Sequence, residues 1–124
     1  DSKSTNFHSL SYALDETKHI FHSDYILIVC GNPAKEQNRE IIIDGPKAIY
    51  IFGYHAHEIN KCISHKNKYC FKNLEDVFEC IQKNKFSQNI LFSPGYPSGR
   101  DYKDFNERGE AFNRYAQNYI NEYK

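Results

Sequence analysis

Tyr25-Ile-Leu-Ile-Val-Cys30, followed by Gly31-Asn32-Pro33, is the stretch on which the fold turns. It is short, continuous and rich in β-branched side chains, as a strand buried on both faces would be. Gly31 and Pro33 stop it. Upstream, Thr5 or Asn6 can cap a helix in which Leu10, Ala13, Leu14, Thr17 and Phe21 recur at three- and four-residue spacing. Downstream, Glu40–Asp44 is ambiguous between a short strand and a helical turn, and Ala48–Phe52 is a second clear strand ended by Gly53. Ile59, Cys62 and Ile63 suggest a short helix, and Lys68–Phe71 reads as a minor strand. Asn73 caps a helix whose Leu74, Val77, Phe78 and Ile81 fall on one face. Asn89–Phe92 is the next strand, and Ser93–Asp101 a loop. In the last helix Phe105, Phe112, Tyr115, Ala116, Tyr119 and Ile120 make one apolar stripe. Strands alternating with helices mean βαβ units. The expectation is therefore a single three-layer α/β domain, Rossmann-like, with a mostly parallel sheet flanked by helices.

Composition agrees with a globular domain. The chain has 124 residues, 16 basic and 16 acidic side chains, and 19 aromatics (10 Tyr, 9 Phe) to pack one core. Its balanced charge argues against nucleic acid or an anionic membrane as partner, since both need a basic excess. The longest apolar run is far short of the ~20 residues a membrane helix needs. Asp1–Asn6 is polar and unlike a secretory signal. Cys30, Cys62, Cys70 and Cys80 contain no Cys-x-x-Cys pair, and two lie in apolar stretches. They read as buried free thiols in a reducing cytoplasm rather than as a disulfide framework. The absence of Met predicts a piece of a longer protein. The apolar positions are accounted for by one core, so a monomer is expected.

In such folds ligands bind at the carboxyl edge of the sheet, where helices also present their N-termini. The segments expected there are Asp1–Thr5, Gly31–Lys35, Gly53–His57 and Ser93–Phe105, carrying Lys3, Lys35, Arg100 and Lys103 with Thr5 and Ser98 as hydroxyl donors. That set suits a carboxylate or phosphate; equally, Lys and Arg are common in surface loops, and both readings stand at this stage. Gly31-Asn-Pro-Ala-Lys35 is too short for a phosphate loop, and no Gly-x-Gly-x-x-Gly follows a strand. His55-Ala-His57-Glu58 with Cys62 looks superficially like a metal site. On a helix, however, positions 55 and 57 point about 200° apart and cannot share an ion. His19 and His22 suit the end of the first helix, and Ser98 has no His and acidic partner in triad order.

Two segments are more specific. Asp1-Ser-Lys3-Ser-Thr5-Asn6 resembles the Asp-Ser-Lys-Ala-Thr-Asn motif that opens the C-terminal domain of one member of the Mur ligase family. Ser93-Pro-Gly-Tyr-Pro-Ser98-Gly-Arg-Asp-Tyr-Lys103-Asp-Phe105-Asn-Glu-Arg108-Gly109-Glu-Ala-Phe112 is similar to that member's Ser-Pro-Ala-x-Ala-Ser…Phe-Lys-Asn-Phe…Arg-Gly…Phe ending. The resemblance implies that residues 1–124 are the C-terminal, amino-acid-binding domain of a three-domain cytoplasmic enzyme. The N-terminal UDP-binding domain and the central ATPase domain, with its phosphate loop and Mg2+ sites, would lie outside this chain. It implies ATP-dependent addition of D-glutamate to UDP-N-acetylmuramoyl-L-alanine in peptidoglycan precursor synthesis, through an acyl phosphate. Thr5 and Lys35 would then contact one carboxylate of D-glutamate, while Ser98 and the backbone N–H of Phe105 hold the other. Asp1 would face the ATP ribose and Lys3 the phosphate side, both at the hinge, with Lys103 and Arg100 in support. No catalytic group or metal site is implied within this domain alone, and the fragment by itself should be inactive.

The likeness has departures. The family usually has an Asp within two residues before the lysine, where this chain has Pro33 and Ala34 and one extra loop residue. Gly95-Tyr96-Pro97 replaces small residues, and Gly99 replaces a bulky one. Two alternatives therefore accompany the ligase reading: a related ligase for another amino acid, and a non-catalytic binding module of the same fold.

Overall fold

The computed structural model describes residues 19–33, 40–83, 89–95 and 101–122, with the backbone alone at 93–95, 105 and 120–122. Four parallel strands form the main sheet: β1 (Ile26–Cys30), β3 (Ala48–Phe52), β5 (Lys68–Phe71) and β6 (Ile90–Gly95), in the order β5-β3-β1-β6. Two short strands, β2 (Ile41–Ile42) and β4 (Ile63–Ser64), make a separate parallel pair. The helices are α1 (Ala56–Cys62), α2 (Leu74–Lys83) and α3 (Phe105–Glu122); His19–Phe21 are also helical. The expected three-layer α/β architecture is what the chain adopts.

The central strand shows why. All five residues of β1 are buried, and because side chains alternate across a strand, one run feeds two cores. Leu27 and Val29, with Ile49 and Ile51, pack against Ile41, Ile43, Ala56, Ile59 and Ile63 on the α1 face. Ile26, Ile28 and Cys30, with Tyr50 and Phe52, pack against Leu74, Val77, Phe78 and Ile81 of α2 and Ala111 and Tyr119 of α3. Aromatic stacking ties the second layer together: Phe92 lies 4.3 Å from Phe112 and nearly parallel to it, and Phe78 stacks on Tyr115 at 5.8 Å.

Local signals set the helix starts. Asn73 Oδ1 accepts the Asp76 N–H at 2.9 Å, the expected cap of α2. Asp104 does the same for α3, accepting the Glu107 N–H at 2.9 Å. Two boundaries differ from expectation. The ambiguous Glu40–Asp44 contains a strand, since Ile41 and Ile42 find partners in Ile63 and Ser64, and Ile63 accordingly leaves the helix for β4. The strand after Asn89 continues to Gly95, so Ser93–Gly95 are not loop. Ile28 is opposite Phe92 and Cys30 is opposite Gly95, so β6 fits one extra residue there. Such a bulge accommodates Pro94, which has no N–H to give the ladder. The first helix expected from Thr5 falls outside the described residues except for its last turn, where His22 takes a left-handed φ of 59°.

Candidate functional site at the carboxyl edge

Parallel strands bring the ends of β1, β3, β5 and β6 to one edge, and the described part of the candidate site lies there. β1 runs into Gly31 (φ 116°) and β3 into Gly53 (φ 105°), conformations that favour glycine and turn the chain off the sheet. The Gly53 N–H donates to the Phe71 carbonyl at 3.3 Å, and the Gly53 carbonyl accepts from the Ala56 N–H, leading into α1.

Onto this turn fold Asp101 and Tyr102, just before α3. Tyr54 N–H donates to Asp101 Oδ1 at 2.9 Å. The carboxylate lies directly over Gly53: a Cβ there would sit 2.8 Å from Asp101 Cγ and closer still to Oδ2. Oδ2 is buried, with no hydrogen-bond partner among the described residues. Tyr102 sets its ring edge-on to Phe52 at 6.4 Å. Burial pushes the Tyr102 hydroxyl up, helped by Cys30 and Asp101 and opposed by Arg108.

Arg108, one turn into α3, is fully buried at 0% exposure. Its guanidinium lies against the Cys30 thiol at the end of β1. Burial pushes that thiol up to about 12, with Arg108 pulling the other way and Asp101 adding to the rise. Burial likewise lowers the Arg108 pKa, while Cys30 and Tyr102 oppose the shift. Cys30, Asp101, Tyr102 and Arg108 thus form one electrostatic cluster beneath the edge. Phe105 opens α3 between Asp101 and Arg108, and the first-turn N–H groups of a helix have no intrahelical carbonyl. A cleft of about 500 Å³ flanks the cluster, lined by Tyr54, His57, Lys72 and Asp101 among others.

Of the residues singled out in the sequence, Phe105 is placed at this edge by its backbone, and Lys103 is exposed just before it. Asp1, Lys3, Thr5, Lys35, Ser98 and Arg100 lie outside the described residues. His55 is the N-cap residue of α1 and pairs with Glu58 at 3.1 Å, while His57 is exposed. Among the described residues no three His, Cys, Asp or Glu side chains gather to hold a metal. The cysteines form no disulfide framework; Cys30 and Cys62 are buried as expected, whereas Cys70 and Cys80 are only half-buried. Asp101, Gly53 and Arg108 carry no assignment from the sequence reading. The available signal was Arg108 itself, a charged residue at position 108 within the apolar stripe 105-112-115-116-119.

A parallel α/β domain whose carboxyl edge gathers a helix N-terminus and a buried guanidinium belongs to the Rossmann-like class, in which that edge receives ligands. No protein-family model matches the chain. Curated relatives do, and they carry one name, UDP-N-acetylmuramoylalanine--D-glutamate ligase. The one from Petrotoga mobilis is 36% identical over 118 residues, 91% of this chain and 26% of the relative. Those from Leptospira interrogans and Hydrogenobaculum sp. are 30% identical over 90% and 98% of the chain, and 29% of each relative. Over about nine-tenths of its length the chain is similar to these ligases, and it spans between a quarter and a third of the length of the relatives it matches.

Proposed function

We propose that the chain is the C-terminal domain of an ATP-dependent ligase that joins D-glutamate to UDP-N-acetylmuramoyl-L-alanine in peptidoglycan synthesis. The observation that carries this reading is similarity to D-glutamate ligases over nine-tenths of the chain. In the reaction, the γ-phosphoryl group of ATP passes to the alanyl carboxylate, giving an acyl phosphate and ADP. The amine of D-glutamate then attacks the acyl carbon, and inorganic phosphate leaves from the tetrahedral intermediate as the amide forms.

This domain's part is to hold D-glutamate and close over the ATP site, turning a bimolecular attack into a nearly unimolecular one. A dianionic amino acid needs two donor clusters. Thr5 and Lys35 supply one; Ser98 and the Phe105 N–H supply the other, with Arg100 and Lys103 adding positive potential. Asp1 and Lys3 face the nucleotide. Mg2+ and the phosphates of ATP fall to the central domain of the proposed enzyme, which carries the phosphate loop in this reading.

The test uses the full-length protein with ATP, Mg2+ and UDP-N-acetylmuramoyl-L-alanine. Phosphate release is followed with D-glutamate and with other amino acids, and the product is weighed by mass spectrometry. D-glutamate-dependent release with the matching mass is expected, and Lys35→Ala should raise KM for D-glutamate. Release with a different amino acid alone would overturn the substrate, and no release with any would leave a binding module.

A further inference from the structure

The cluster beneath the carboxyl edge holds two side chains to which the proposed reaction gives no contact with a substrate. Asp101 lies four residues before Phe105 and Arg108 three after it. Each is tied to a different strand end: Asp101 to the Gly53–Tyr54 turn after β3, Arg108 to Cys30 at the end of β1. The segment opening α3 is therefore held at both ends against the sheet. The geometry assigns Asp101 as a positioning residue that, with Arg108, fixes where the Phe105 N–H stands over the carboxyl edge.

The Asp101 tie is specific in its chemistry. Oδ1 is an ionised acceptor for a backbone N–H, a stronger bond than a neutral pair makes. Space for the carboxylate exists only because residue 53 has no Cβ. The bond spans 47 residues of sequence, so it sets a tertiary distance rather than a local turn. On the other side, Arg108 N–H donates to the Asp104 carbonyl at 3.2 Å, and Asp104 caps the helix. Phe105 thus lies within a capped, hydrogen-bonded first turn whose approach is set by Asp101.

This inference rests on the ligase reading, in which the Phe105 N–H binds a D-glutamate carboxylate. Its test compares Asp101→Ala and Asp101→Asn in the full-length enzyme. Losing a hydrogen bond to a charged group is worth about 10-fold or more, so Asp101→Ala should raise KM for D-glutamate about 10-fold. KM for ATP and for UDP-N-acetylmuramoyl-L-alanine should stay as they were. Asp101→Asn, which keeps an acceptor for Tyr54, should return KM for D-glutamate to within about 3-fold of the parent. An unchanged KM for D-glutamate in Asp101→Ala would overturn the assignment. So would a common rise in all three KM values that Asn does not rescue, since that marks general loss of structure. If the parent protein turns over no D-glutamate, the ligase reading has failed, and the tie is read separately from amide exchange at Tyr54. Exchange about 10-fold faster in Asp101→Ala upholds the tie; unchanged exchange removes it.

Discussion

Replacing Gly53 by alanine tests the site's construction without any ligand. Two costs follow from the structure. At φ 105° an L-residue is strained, by about 1–3 kcal/mol. The added Cβ would fall 2.8 Å from Asp101 Cγ, so the carboxylate must move and its bond to the Tyr54 N–H is lost, about 1.5–3 kcal/mol. Together these predict a loss of about 2.5–6 kcal/mol from a domain of ordinary total stability, about 5–15 kcal/mol. With a urea m-value of about 2 kcal/mol/M, the unfolding midpoint of the chain should fall by roughly 2 M. The double mutant decides the mechanism. Asp101→Ala alone costs the hydrogen bond; adding Gly53→Ala to it costs only the backbone strain, because the clash is gone. The pair should therefore be less destabilised than the sum of the singles by about 2 kcal/mol. Additive costs, or a Gly53→Ala loss under about 1 kcal/mol, would refute the reasoning.

Other outcomes follow from the same cluster and from the helix ends. Arg108→Ala leaves a buried hole beside Cys30 and should cost about 3 kcal/mol, near 10 °C in Tm; Arg108→Lys should not restore it, because a compact ammonium cannot replace the planar fork. Burial raises the Cys30 thiol from 9.0 to about 12 in the folded chain, so the unfolded chain loses that proton first. The stabilisation is complete below pH 9 and is lost as pH rises to about 12, with a slope of at most ~1.4 kcal/mol per pH unit. Urea unfolding across pH 8 to 11 should be less pH-dependent in Cys30→Ala than in the parent, and parallel curves would count against the buried thiol. Asn73→Ala and Asp104→Ala should each cost about 1 kcal/mol by thermal unfolding, since each removes the acceptor of a first-turn N–H.

The fold was legible where one residue's neighbours in sequence are also its reason for position. The β1 run, the second strand and the spacing of Leu74, Val77, Phe78 and Ile81 each carry their period within a few residues, and the cap at Asn73 acts three residues away. Glu40–Asp44 was not legible, because a two-residue strand is defined by its partner, here Ile63–Ser64. The end of β6 was hidden for a related reason: Pro94 reads as a break, and only pairing with β1 shows the bulge that admits it. Of the candidate site, Phe105 is marked by its motif, whereas nothing local marks Asp101, whose bond to the Tyr54 N–H joins residues 47 apart in sequence.

What the sequence by itself determined is the class of the domain and the family it resembles: apolar runs, helical spacing and two end motifs are one-dimensional signals, and each survives without coordinates. The tertiary structure alone decided the cluster of Cys30, Asp101, Tyr102 and Arg108. Those groups come from the end of β1, from the residues just before α3 and from its first turn, more than 70 residues apart in sequence. They meet because parallel strands deliver their carboxyl ends to one edge. A buried arginine and an aspartate seated over a glycine are products of that meeting, since burial, unlike periodicity, belongs to the assembled layers and not to any segment.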